Sequence, residues 1–164
     1  MAEHIRYGIA TPQDLAGRTG REVLQGILDG SVPAPPIAQL LRFRLVEVGD
    51  GSAVFEGDPD PSLCNLMGVL HGGWALTLLD SVTGCAAHST LPAGTGYTTL
   101  ETKGNFTRAI TPTTGRVRAE GKVVAHGRKV ITAEGWLRTA DGTLLAHGTS
   151  TLLVLPAQDQ SART

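Results

Sequence analysis

The sequence is poor in aromatic residues and carries almost no excess charge. Only 4% of its 164 residues are aromatic, so a core must be built from leucine, valine, isoleucine and alanine. Fourteen basic side chains stand against fifteen acidic ones, which gives a net charge of −1. This balance provides no long-range attraction to nucleic acid or to an anionic membrane, and we predict neither as a partner.

Cysteine and long apolar runs are also scarce. The two cysteines, Cys64 and Cys85, are too few for a disulfide framework, and with five scattered histidines they show no spacing typical of metal ligands. No apolar run is long enough to span a membrane, and the first twenty residues lack the apolar stretch of a signal peptide. We therefore expect a cytoplasmic protein with reduced thiols and without a metal or other cofactor.

What is present suits one domain over residues 1–164, because a hydrophobic share of 41% is enough for a core. Residues 1–36 are predicted to form a helical and proline-rich extension. Apolar residues recur there at helical spacing up to Gly30, and three prolines then fall within 33–36. Residues 156–164 are polar and are predicted to form a flexible tail.

Between these ends the pattern alternates strands with one long helix. Residues 43–56 predict a hairpin around Gly49-Asp50-Gly51, with a bulge or burial of both faces at Leu45-Val46, where the apolar phase shifts. Residues 72–88 are apolar almost all round, which is typical of a helix buried on several sides. Strand-like segments follow at 97–107, 115–125, 129–139 and 144–154. Consecutive strands with short links form an antiparallel sheet, so the fold class is α+β.

Two glycines stand where this long helix begins, in the stretch NLMGVLHGGWALTLLD. The first backbone N–H groups of a helix lack intrahelical partners and lie at the positive end of its dipole. Gly72 and Gly73 therefore either expose these donors to a ligand, where a side chain would block approach, or only allow a tight entry into the helix.

Asp80 places a carboxylate within the apolar helix, where burial without a partner is unfavourable. It is either a reacting group or a structural carboxylate bonded to an arginine or to a hydroxyl such as Thr77 or Thr83. Asp80 follows Gly72 by eight residues, about 12 Å of helical rise. One chain cannot easily place both groups on one carbonyl, whereas two facing helices of a symmetric dimer can.

Further residues extend the pattern along the chain: Asn65, Gly68, His71-Gly72-Gly73, Asp80, a threonine-rich strand, Gly127-Arg128, Asp141-Gly142 and a closing Leu-Ala-x-Gly-Thr strand. Together these motifs resemble the hotdog-fold acyl-CoA thioesterases, in particular the phenylacetic-acid-degradation (PaaI-like) type, over roughly residues 37–155. The resemblance implies a hotdog fold, in which a curved antiparallel sheet of about six strands wraps around one central helix. It also implies homodimers, commonly paired into homotetramers, whose active sites draw on both subunits.

The implied reaction is hydrolysis of acyl- or aroyl-coenzyme A thioesters, with coenzyme A as part of the substrate. By this resemblance the Gly72 N–H polarises the thioester carbonyl, and Asp80 acts as nucleophile or general base. Asn65 would orient the attacking water or bond the carbonyl, unless it only stabilises a turn. His71 would support the helix start. Thr98, rather than its neighbour Thr99, would contact the water, unless it is only a β-branched strand residue.

The nucleotide phosphates of coenzyme A require cations or N–H groups at the surface. Arg108, Gly127, Arg128 and Lys129 are the candidates, and Gly73 joins them as a substrate-binding residue. The alternative for the turn at 127–129 is a solvated basic hairpin.

Two other functions fit the same fold. R-specific hotdog hydratases carry a histidine after an aspartate and four further residues, but Cys85 occupies that position after Asp80. A non-catalytic acyl-CoA-binding or regulatory module is the second alternative, and the carboxylate at Asp80 argues for catalysis instead.

Overall fold

The computed structural model of the chain describes residues 5–156. The predicted tail therefore lies, apart from Pro156, outside the described residues. The helices are α1 (Pro12–Leu15), α2 (Gly20–Asp29), α3 (Pro36–Leu40) and α4 (Gly72–His88), and a 3-10 turn spans Pro61–Leu63. The strands are β1 (Phe43–Gly49), β2 (Ser52–Gly57), β3 (Gly96–Phe106), β4 (Val117–His126), β5 (Val130–Arg138) and β6 (Leu144–Leu155).

The N-terminal extension is held by local signals. Thr19 caps α2 and exchanges hydrogen bonds with Glu22, and Gly30 ends the helix in the left-handed conformation, with φ of 80°. The buried side of α2 carries Val23 and Leu24 and packs on β1. The helix predicted before Gly30 is thus confirmed.

All six strands form one antiparallel sheet in the order β1-β2-β4-β5-β6-β3, and α4 packs across one face of it. This is the hotdog architecture, as predicted. The last strand does not close the sheet at its edge: β6 lies between β5 and β3 and leaves the 11-residue β3 as an edge strand. Within residues 5–156 no helix is both long and apolar enough to cross a membrane.

Two of the irregularities in strand pairing, one in β1 and one in β3, bear on the sequence predictions. The register of β1 shifts between Leu45 and Glu47, which confirms a bulge at the predicted position. A second shift, between Thr99 and Glu101 in β3, was not predicted. Since side chains alternate with a period of two, the extra residue moves all later side chains of β3 to the opposite face.

A row of glycines crosses the sheet beneath α4. Gly121, Gly135, Gly148 and Gly104 are paired in sequence across β4, β5, β6 and β3. A Cβ atom on Gly121 would lie 2.2 Å from the carbonyl oxygen of Val82, a backbone atom of α4. The absence of side chains along this row lets the helix lie directly on the strand backbone, and so fixes where α4 stands relative to β3.

Candidate active site

At the N-terminus of α4 some backbone N–H groups have hydrogen-bond partners and one does not. His71 is the N-cap residue, with φ −61° and ψ 134°, and its Nδ1 accepts a hydrogen bond from the Gly73 N–H at 3.1 Å. The Trp74 N–H bonds the His71 carbonyl at 2.9 Å. Among residues 5–156 the Gly72 N–H has no partner. The first donor of the helix therefore remains available, while the second is occupied by the cap.

Gly72 is exposed and lies beside the C-terminal end of the edge strand. A Cβ on Gly72 would stand 3.4 Å from the Phe106 ring, and that phenyl group is itself 55% exposed. Gly72 thus lies beside an exposed apolar side chain at the free edge of the sheet. The contact between His71 and Gly73 fits the supporting role predicted for the histidine.

Asp80 is half-buried and is held from the sheet. Its Oδ1 accepts a hydrogen bond from Thr102 Oγ1 of β3 at 3.0 Å. Neither helical hydroxyl named as an alternative partner bonds this carboxylate: Thr77 donates to the Gly73 carbonyl, and Thr83 contacts backbone carbonyls of α4. Within the described chain Oδ2 accepts no hydrogen bond. One carboxylate oxygen is therefore held by a hydrogen bond, and the other has no hydrogen-bond partner within residues 5–156.

The hydroxyl next to the carboxylate belongs to Thr102, whereas the sequence prediction placed Thr98 in contact with the attacking water. Thr98 is exposed and pairs with Leu153, on the face of the sheet that points away from α4. Simple alternation would place Thr98 and Thr102 on the same face, but the bulge between them reverses the phase. Within one chain Thr102 replaces Thr98 as the strand hydroxyl beside Asp80. Its signal was the irregular alternation of the threonine-rich strand.

The surroundings of Asp80 toward the C-terminal end of α4 disfavour further charge. Burial raises the pKa of the Cys85 thiol to about 12, and the charge of Asp80 adds to this effect. The pKa of Tyr97 is raised by burial and then by Cys85 and Asp80. Burial lowers the pKa of His88. Around neutral pH all three groups are uncharged, and Cys85 and Tyr97, the two whose pKa responds to Asp80, add no charge near the carboxylate.

Asn65 lies in the loop before the helix and stabilises a turn. Its Oδ1 accepts the Met67 N–H at 2.9 Å, while its backbone N–H bonds the Val69 carbonyl. The side-chain amide NH₂ makes no hydrogen bond within residues 5–156 and can still donate. The turn projects Leu66 and Met67, which are 107% and 83% exposed.

The candidate coenzyme A residues form two separate groups in one chain. Arg108 follows the end of β3, where Phe106 pairs with Ala146, whereas Arg128 and Lys129 precede the β5 end that pairs with Leu153. Those positions on β6 are seven residues apart, or about 23 Å. These three cations are exposed and form no salt bridge within the described chain, unlike the arginines of β1 and β4.

Gly127 does not offer the backbone donor that was predicted. Its N–H already donates to the Val130 carbonyl at 2.8 Å, and a Cβ at this position would lie 2.8 Å from the same oxygen. Its role in the structure is to close the hairpin tightly.

One antiparallel sheet wrapped on a single central helix defines the class of protein as a hotdog protein. A family model described as "Thioesterase superfamily" matches residues 67–146. A protein of Saccharolobus solfataricus whose name proposes an esterase is 30% identical over 128 residues, which cover 78% of this chain and 89% of that protein. The chain belongs to the thioesterase superfamily, among its PaaI-like hotdog members.

Solved structures agree with this assignment. A conserved protein of Pseudomonas aeruginosa is 33% identical, with a TM-score of 0.68, over 73% of this chain and 93% of that one. A phenylacetic acid degradation-related protein of Ralstonia eutropha, whose name proposes a thioesterase, is 28% identical, with a TM-score of 0.72, over 79% and 98%. A variant of the phenylacetic acid degradation protein PaaI from Thermus thermophilus is 25% identical, with a TM-score of 0.65, over 72% and 96%.

Proposed function

We propose that this protein hydrolyses acyl- or aroyl-coenzyme A thioesters to the free acid and coenzyme A. The C–S bond breaks, water supplies the new acyl oxygen, and the departing thiolate takes up a proton. Asp80 is the nucleophile or the general base, and the Gly72 N–H stabilises the negative charge that develops on the carbonyl oxygen.

The observation that carries this proposal is the division of donors at the start of α4. His71 uses the Gly73 N–H and leaves the Gly72 N–H without a partner at the positive end of the helix. An exposed donor of this kind suits an oxyanion. Asp80, with one oxygen fixed by Thr102 and the other free, supplies the second requirement of acyl transfer.

Helix geometry supports sharing of the site between two subunits. Gly72 and Asp80 lie in one continuous helix, so about 12 Å of rise separates them within a chain. In a two-fold dimer, Gly72 of one chain would meet Asp80 of the other. The unpaired edge of β3 and the exposed side chains of Leu66, Met67 and Phe106 suit such an interface. Family resemblance extends this to a homotetramer.

The unpaired cations Arg108, Arg128 and Lys129 are the proposed contacts for the coenzyme A phosphates. Since about 23 Å separates Arg108 from the hairpin within a chain, one phosphate group would use only one of the two sets. The free amide donors of Asn65 are placed at the loop before Gly72 and would contact the carbonyl or the attacking water.

The first test replaces the carboxylate. Asp80→Asn keeps the size of the side chain and the acceptor for Thr102, and Asp50→Asn removes a comparable charge from an exposed turn. Thiol release from a panel of aromatic and aliphatic acyl-CoAs should fall by roughly 10²–10⁴-fold in Asp80→Asn only. Full activity in folded Asp80→Asn would refute the catalytic assignment. Binding of acyl-CoA without thiol release by the unmodified protein would instead indicate a binding module.

The second test addresses sharing between subunits. Asp80→Asn protein is mixed with Gly72→Pro protein, unfolded together and refolded. Each mixed dimer would contain one intact site and one doubly defective site, and half of the dimers would be mixed, so about one quarter of full activity should return. No recovery in verified mixed dimers would contradict the shared site.

A further inference from the structure

A line of hydroxyl groups continues from Asp80 into the interior. Thr102 Oγ1, which donates to Asp80 Oδ1, lies 3.0 Å from Ser150 Oγ on β6. Ser150 Oγ lies 2.7 Å from Thr83 Oγ1 on α4, and Thr83 also stands 2.8 Å from the Leu79 carbonyl oxygen. Ser150 and Thr83 are each only 1% exposed. Two fully buried hydroxyls therefore connect the carboxylate to the helix backbone beneath the sheet.

Counting protons fixes the direction of this line. An ionised Asp80 carboxylate can only accept hydrogen bonds, so Thr102 donates its one hydroxyl proton to Oδ1. The contact between Thr102 and Ser150 must then be donated by Ser150. Ser150 has no second proton, so Thr83 is the donor in its contact with Ser150 and shares its proton between Ser150 Oγ and the Leu79 carbonyl oxygen, which lies 2.8 Å away. The order Thr83 to Ser150 to Thr102 to Asp80 is the only arrangement in which all three contacts along the line are hydrogen bonds.

We propose that Ser150 is a positioning residue for the reacting carboxylate and acts through Thr102. By donating to Thr102, Ser150 keeps the Thr102 hydroxyl proton pointed at Asp80 Oδ1. Linked hydrogen bonds polarise one another, so the Thr102 donor also becomes stronger. Oδ1 stays occupied, and Oδ2 is left as the oxygen that attacks or takes a proton from water.

The buried position of Ser150 supports this role. It lies on β6 directly between Thr102 of β3 and Ala133 of β5, on the face that α4 covers. An alanine would fit the shape of this position without any requirement for hydrogen bonds. The buried Ser150 hydroxyl has hydrogen-bond partners only because Thr83 and Thr102 lie on either side of it. Its position therefore connects these two threonines in addition to filling space in the core.

The catalytic part of this inference rests on the proposed function, and its test is therefore made without substrate. The protein is labelled with ¹³C in the aspartate carboxyl carbons, and the titration of Asp80 is followed by NMR, with Asp80→Asn identifying its signal. The variants are Thr102→Val, Thr102→Ser and Ser150→Ala. Thr77→Val is the matched control, because Thr77 is an α4 hydroxyl that bonds only its own helix.

A lost donor to the charged form makes protonation easier. Thr102→Val should move the midpoint of the Asp80 titration upward. Ser150→Ala, which does not touch Asp80, should move it upward by less than Thr102→Val does. Thr102→Ser should restore the original midpoint, and Thr77→Val should leave it unchanged.

An unmoved midpoint in Ser150→Ala, whatever its effect on thermal stability, would overturn the proposal and leave Ser150 a packing residue. If the midpoint does not move in Ser150→Ala, while the unmodified protein releases thiol and Asp80→Asn does not, only the proposed role of Ser150 is refuted and the proposed hydrolysis stands. If the midpoints move as expected in a protein that releases no thiol, the hydroxyl line stands and the proposed hydrolysis fails.

Discussion

Replacing Gly72 by proline removes the backbone N–H and places a ring carbon on the same nitrogen. Gly72 is the first residue of α4, a position where proline is favoured because its missing N–H has no intrahelical partner. The preceding residue, His71, has φ −61° and ψ 134°, within the range that a following proline requires. Since the Gly72 N–H has no partner within residues 5–156, Gly72→Pro breaks no hydrogen bond there.

Gly72→Ala is the matched control. It adds the same Cβ atom and keeps the N–H. In both variants this Cβ approaches the Phe106 ring at 3.4 Å, and a ring that is 55% exposed can move aside by a few tenths of an ångström. The two variants therefore share the steric effect of the Cβ atom, and their difference reports the loss of the N–H together with the ring carbon that proline puts in its place.

The expected difference is large. Loss of one oxyanion donor lowers kcat by about 10²–10³-fold, or about 2.7–4 kcal/mol of transition-state stabilisation. We expect kcat of Gly72→Pro to lie that far below kcat of Gly72→Ala. KM should change little, because a donor aimed at the developing charge acts mainly in the transition state.

The assay is steady-state thiol release from the best acyl-CoA of the panel, together with thermal melting to confirm that both variants fold. Equal rates in the two variants would refute the assignment, whether both are active or both are impaired. Equal high rates would show that the oxyanion donor lies elsewhere, and equal low rates would show that Gly72 provides space instead of an N–H.

Two further predictions concern stability. Gly121→Ala should lower the free energy of unfolding by about 3 kcal/mol or more, because its Cβ would lie 2.2 Å from the backbone oxygen of Val82. Gly135→Ala should lower it by only about 1 kcal/mol, because its Cβ would meet a side-chain methyl group of Val82 at 3.1 Å. Denaturant titration measures both, and equal losses would contradict the close approach of α4 to β4. Burial lowers the pKa of His88 in the folded chain, so the unfolded chain binds that proton first and stability should fall as the pH drops below about 6.5. His88→Gln should remove part of this pH dependence in thermal melts between pH 7.5 and 5.5, and an unchanged dependence would exclude His88 as its source.

Much of the fold follows from periodicity in the sequence. The apolar run from Gly72 to His88 is confirmed as one helix over those residues, because its composition fits only burial on several sides. The hairpin around Asp50 and the bulge after Leu45 could be predicted, because turn residues and apolar alternation are local features of the sequence. The strand order could not be predicted, because the position of β6 between β5 and β3 depends on contacts between segments that are distant in the sequence.

The site was predictable only where it depends on local geometry. A helix start at Gly72 and a carboxylate at Asp80 follow from the helix alone. The partner of Asp80 does not, because a bulge inside β3 decides whether Thr98 or Thr102 faces α4. Ser150 carries no local signal at all, since only the pairing of β6 with β3 brings it to Thr102.

Both parts of the proposed chemistry lie on α4, and the helix itself keeps them about 12 Å apart along its axis. This distance is an advantage if the site is assembled from two copies. The carboxylate can be tightly held by Thr102 from within its own sheet, while Gly72 remains exposed beside Phe106 at the free edge. Within a single chain the Gly72 N–H and the Asp80 carboxylate are then too far apart to hydrogen-bond to each other. Only association of two chains would bring the N–H donor of one helix to the carboxylate of the other.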